Sequence, residues 1–140
     1  MKKLLKIITV LTVLLSIISP INTIKAQEED DDTFIVGMEC NYTPFNWTQV
    51  NETETTVALE GGGYADGYDV TIARAIADYL GKELVIKKMS WDGLEPALQA
   101  GVIDAVIAGM TDTADRRQRV DFTQPYYESQ MVMIVRKDDK

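Results

Sequence analysis

Three short stretches of this 140-residue chain hold side chains suited to gripping a small charged molecule. The first runs from Glu39 to Phe45 and offers a carboxylate and two aromatic rings, from Glu39, Tyr42 and Phe45. The second offers Trp91. The third is the turn Ala108-Gly109-Met110-Thr111, followed closely by Arg116 and Arg117. A Gly-containing turn leading into a helix exposes backbone N–H groups and the positive end of the helix dipole, which together attract an anion. An Arg in the first turn of such a helix can add a two-pronged grip on a carboxylate, and the Thr111 hydroxyl can donate or accept. These groups would fix a small carboxylate, stack its body between aromatic faces and present Glu39 to a distal amine or amide. An α-amino acid meets that description. Each part alone has a plainer reading: Tyr42 and Trp91 as core aromatics, Arg116 as a solvated surface cation.

The elements that must position these groups alternate strand and helix. Phe34 to Met38 is a short apolar run rich in β-formers and reads as a buried strand. A long polar segment follows, from Glu39 to Gly67, of a length that implies function or an internal hairpin. Asp69 is placed to cap a helix over 70–80, with Gly81 as its stop and Ile72, Ile76, Tyr79 and Leu80 as one apolar stripe. Leu84-Val85-Ile86 is the next strand. Asp92 to Glu95 fits a capping box opening a second helix that ends at Gly101. Residues 102–108 read as a third strand, Thr113 caps a short helix through about Arg119, and residues 130–136 (QMVMIVR) read as a final strand. Strand–helix repetition of this kind implies right-handed crossovers and a mostly parallel sheet flanked by helices, an α/β fold. Ligands of such sheets bind at the carboxyl ends of the strands, and the three stretches above fall at those ends.

Composition removes several other chemistries. The chain has 14 Lys+Arg, 22 Asp+Glu, no His and a formal charge of −8, which argues against a nucleic-acid partner. Without His there is no Ser-His-Asp or Cys-His catalysis, no His-ligated metal and no His pH switch. One Cys allows no internal disulfide. No metal or other cofactor is implied. Residues 1–26 hold four Lys and no acid around an apolar run from Ile7 to Ile18, the layout of a signal peptide cleaved after Ala26. No Cys follows that run, so a lipid anchor is not expected and Cys40 reads as a small, partly buried thiol. Residues 27–33 form an acidic linker, and 34–140 the globular part. Asn-x-Thr sequons at Asn41, Asn46 and Asn51 read as incidental.

The stretches FIVGMECNYTPFNW, GYADGYDVTIARAIADYLGKEL and, most specifically, WDGLEPALQAGVIDAVIAGMTDTADRRQRVDFTQPYY resemble the bacterial extracellular solute-binding proteins of family 3, which capture amino acids for ABC importers. The resemblance implies a type II periplasmic-binding-protein-like fold of two α/β lobes closing around the ligand, of which this chain holds the first and stops before the second. It implies that Arg116 grips the ligand α-carboxylate with the Thr111 N–H. The Gly109 carbonyl and Thr111 hydroxyl would meet the α-ammonium, and Ala108 would sit at the strand end. Tyr42 and Trp91 would sandwich the side chain, with Glu39 reading its distal end. The implied function is extracytoplasmic binding of a polar or basic α-amino acid, at the periplasm or outer cell surface, by a monomer that hands its ligand to permease subunits without chemistry of its own. Two alternatives stay open at this point. One is a prephenate-type dehydratase with Glu39 as general acid, the other a sensor module of a signalling receptor.

Overall fold

The computed structural model describes residues 32–138. The expected signal peptide, 1–26, and all but the last two positions of the acidic linker, 27–33, lie outside the described residues. The first strand, β1 (Thr33–Met38), begins where the linker ends. It is the centre of a three-stranded parallel sheet, between β6 (Glu83–Lys88) and β7 (Ala105–Val106). Helix α1 (Tyr68–Leu80) precedes β6, and helix α2 (Trp91–Gln99) connects β6 to β7. The helices cover opposite faces of the sheet. Phe34, Val36 and Met38 point one way, into a cluster with Val70, Ala73 and Ala77 of α1. Gly37 points the other way, where a Cβ would stand 2.5 Å from Ile103 and 3.0 Å from Leu94 of α2. The missing side chain leaves room for the Ile103 and Leu94 side-chain tips against the central strand. Val36, Met38, Val70, Leu94 and Ile103 are fully buried or nearly so, each worth about 1.5–3 kcal/mol relative to exposure.

The long polar segment contains hairpins, as its length suggested. Strands β2 (Asn41–Tyr42), β3 (Asn46–Gln49), β4 (Val57–Ala58) and β5 (Tyr64–Asp66) form a second, antiparallel sheet in the order β2-β3-β5-β4.

Several local expectations are corrected. Asp69 does not cap α1. Gly67 (φ 125°) holds the cap position, and the first N–H groups of the helix, from Tyr68 and Asp69, donate to the backbone carbonyls of Pro44 and Phe45. The second helix starts at Trp91 with Ser90 as its cap. Asp92 is therefore the second helical residue and not the cap, Glu95 lies two residues past the position that would close a capping box with Ser90, and its carboxylate is used elsewhere. The buried stripe of α1 is Asp69, Val70, Ala73 and Ala77, whereas Ile76, Tyr79 and Leu80 are exposed. The third strand is reduced to two residues, and the helix after Thr113 to a single 3-10 turn, Arg116–Gln118. Residues 130–136 form no strand. Met131 to Ile134 stand in solvent. Gly81 ends α1 in the left-handed conformation (φ 68°), as expected.

Candidate functional site

The carboxyl ends of the three parallel strands face one edge, and a buried polar chain ties two of them together. The Asn46 side chain accepts from the Cys40 N–H (2.8 Å), just past β1, and donates to Asp69 Oδ2 (2.7 Å). Asp69 Oδ1 accepts from the Tyr126 hydroxyl (2.8 Å), and that hydroxyl oxygen accepts from the Gly109 N–H (2.9 Å), just past β7. Asn46 and Asp69 are fully buried. Burial pushes the Asp69 carboxyl above its ordinary value, against the opposing hydrogen bonds from Asn46 and Tyr126. Burial also holds the Tyr126 hydroxyl well above the usual phenol range, so it stays a donor. The Cys40 thiol, 3% exposed, is pushed up to about 11, with Lys88 opposing.

An aromatic shelf lies over this chain. Tyr42 stacks on Phe45 (centroids 5.0 Å apart), and Phe45 meets Tyr127 edge-on at 5.0 Å. Tyr68 joins through Tyr126 and Tyr127. Gly109 has φ 63°, and a Cβ there would stand 3.2 Å from the Tyr42 ring. The Tyr42 ring thus lies across the backbone of the Gly109 turn, and it is half-exposed.

A second group forms around Arg116. Its guanidinium carbon sits 5.6 Å over the Trp91 ring, a cation–π distance. Its Nε donates to Glu95 Oε1 (3.1 Å) and its Nη1 to the Thr111 carbonyl (2.9 Å). The Thr113 hydroxyl accepts from the Arg116 backbone N–H (3.3 Å), but the cap position of the 3-10 turn is Asp115, two residues later than the sequence expectation. Arg117 turns away, onto Asp112. Trp91, Glu95, Thr113, Arg116 and Arg119 line an open cavity of about 490 Å³.

Of the residues singled out from the sequence, Tyr42 and Gly109 are brought together, and so are Trp91, Thr111 and Arg116. Ala108 is buried beneath the turn. Glu39 faces a separate open cavity of about 910 Å³, with Lys88, Ser90 and the Glu60–Gly62 tip of the antiparallel sheet. The sequence reading missed Asn46, Asp69 and Tyr126, whose hydrogen bonds link positions 23 and 57 residues apart with no periodic signature. It also missed Glu95 as a partner of Arg116, although Trp91 and Glu95 stand at i, i+4 on α2, a spacing that places them on one face. Among the described residues no cluster of acidic or Cys side chains could hold a metal ion, and no helix is long and apolar enough to cross a membrane.

Comparison with known proteins gives these groups a context. The chain is 37% identical over 107 residues to a probable histidine-binding protein of Campylobacter jejuni, an alignment covering 76% of this chain and 37% of that one. It is 31% identical over 104 residues to the arginine-binding extracellular protein ArtP of Bacillus subtilis, covering 74% and 36%. The solved arginine-bound form of domain 1 from TmArgBP matches with a TM-score of 0.58 and 36% identity, over 69% of this chain and 68% of that one. The chain thus spans little more than a third of the length of these two curated relatives. The structural neighbours are type II periplasmic amino-acid-binding proteins, in keeping with the parallel sheet flanked by helices. Residues 34–140 match the model of one family throughout, and the chain belongs to it: the bacterial extracellular solute-binding proteins, family 3.

Proposed function

We propose that residues 34–140 act as the first lobe of a receptor that binds a polar or basic α-amino acid outside the cytoplasm and passes it, unchanged, to the permease of an ABC importer. The observation that carries this reading is Arg116, held over Trp91 at the ligand edge of the sheet, with no hydrogen bond donated by its Nη2 to any of the described residues. A guanidinium has five donors, so a ligand α-carboxylate can take those left over. The Gly109 carbonyl and Thr111 hydroxyl are assigned to the α-ammonium, with Ala108 as the small strand-end residue beneath them. Tyr42 and Trp91 flank the ligand side chain, and Glu39 attracts the distal end of a side chain long enough to extend into its separate cavity. The names of the relatives, histidine- and arginine-binding, support a basic ligand. The arginine-bound domain 1 of TmArgBP supports binding by a single lobe.

Titration calorimetry of the chain with L-arginine, L-histidine, L-glutamine and L-glutamate tests the proposal. Arginine or histidine should bind more tightly than glutamate, and Arg116→Ala should weaken that binding at least about tenfold, the scale of one lost charge-assisted contact. Unchanged affinity in Arg116→Ala, or a preference for glutamate, would refute it.

A further inference from the structure

Arg116 does not stand alone. Glu95 accepts from its Nε and, through the other carboxylate oxygen, from Nε of Arg119 (3.0 Å). The Arg116 and Glu95 side chains are only 22% and 19% exposed, less than Arg119 at 42%. Helix α2 therefore holds the guanidinium twice, by the Trp91 ring, over which it sits, and by Glu95, one turn on, at its Nε edge. The Thr111 carbonyl fixes a third side through Nη1. What is left for a ligand is the Nη2 edge, with the second N–H of Nη1 beside it.

We infer that Glu95 is a positioning residue for ligand recognition, which locks Arg116 so that its Nη2 edge meets one carboxylate of an incoming amino acid. This rests on the reading in which Arg116 takes the α-carboxylate. The physical reason is pre-organisation. A free Arg side chain has many rotamers, and immobilising it on binding weakens affinity. Glu95 imposes that order before the ligand arrives. Its negative charge would by itself repel a carboxylate, but Arg119 shares it, and Asp115 in turn holds Arg119 (3.0 Å). The balance leaves orientation as the dominant effect. A site built this way favours ligands with a single carboxylate at this position, because a second anionic group beside the first would face Glu95.

The test separates positioning from mere structure by comparing each amino acid with its α-carboxamide. L-arginine and L-argininamide, and L-histidine and L-histidinamide, are titrated into the wild-type chain, Glu95→Ala, Glu95→Gln and Arg116→Ala. The readout is the ratio of amide to acid dissociation constants, which a general loss of stability leaves unmoved. Glu95→Ala should lower that ratio about tenfold, and the isosteric Glu95→Gln about threefold, since its amide oxygen can still accept from one Arg. Arg116→Ala should bring the ratio close to one. If Glu95→Ala does not fold, the Glu95→Gln ratio decides. Wild-type ratios in the Glu95 variants, with a collapsed ratio in Arg116→Ala, overturn the role of Glu95 and leave that of Arg116 standing. A ratio that rises in the Glu95 variants makes Glu95 a repelling charge and also overturns the inference. A wild-type ratio in Arg116→Ala, or no binding of either amino acid, overturns both.

Discussion

Replacing Tyr126 by Phe removes one hydroxyl and two hydrogen bonds, and the surroundings of each partner set the cost. Gly109 is exposed, so its freed N–H turns to water at little expense. Asp69 is fully buried and loses a charge-assisted bond with nothing to replace it, a loss of about 1.5–3 kcal/mol. We expect a destabilisation of about 2 kcal/mol, or a fall of about 8–16 °C in Tm for a domain near 100 residues. The cost should also depend on pH. Burial raises the Asp69 carboxyl above its ordinary value in the folded state. The folded chain then binds more protons than the unfolded one between those two values, so the Asp69 contribution to stability falls as pH rises through that window. The Tyr126 hydrogen bond opposes this upward shift. Without it the folded value climbs further, and the variant loses more stability with rising pH than the wild type does. Urea denaturation of both proteins at pH 4 and pH 8 measures this, with the larger difference expected at pH 8. A difference below about 0.5 kcal/mol, or one equal at both pH values, would refute the view that the Tyr126–Asp69 bond bears on a buried carboxylate.

One further substitution and one labelling reaction probe the same framework. Gly67→Ala would place a methyl group 2.3 Å from the Phe45 carbonyl oxygen, at a φ of 125°; we expect it to detach the 44–45 turn from the start of α1 and cost more than about 3 kcal/mol, and melting within 3 °C of wild type would contradict the close approach. Cys40, with its thiol pushed up to about 11 and 3% exposed, should resist a thiol reagent at pH 8 and react at once in 6 M guanidinium, because the thiolate is the nucleophile; rapid labelling of the folded chain would contradict its burial.

Much of the scaffold was legible because it is periodic. The run Phe34 to Met38, the apolar strand before Trp91 and the glycine stop at Gly81 each announce themselves within a few residues. The face of α1 did not. Large side chains at 72, 76, 79 and 80 form a stripe on paper, yet of these only Ile72 packs against the core, and the sheet accepts the small Ala73 and Ala77 with Val70, because a helix can sit closer to the strands over alanine. Apolar content alone likewise overstated residues 130–136, since a strand exists only where another edge completes its hydrogen bonds. At the site, residue types pointed to Arg116, Trp91 and Tyr42 through their chemistry. The groups that hold them, Glu95 and the Asn46–Asp69–Tyr126 chain, carry no local mark. They become visible only when distant segments meet.

The place of β1 in the sheet has a consequence for how the chain is made. Its partners on either side, Glu83 to Lys88 and Ala105 to Val106, lie about 50 and about 70 positions later in the sequence. At roughly 10 residues per second of synthesis, the strand that ends most deeply buried waits several seconds before either neighbour exists. Closing such long loops is slow. For that interval Phe34, Val36 and Met38 are available to a chaperone, or to another copy of themselves, before they are available to their own fold.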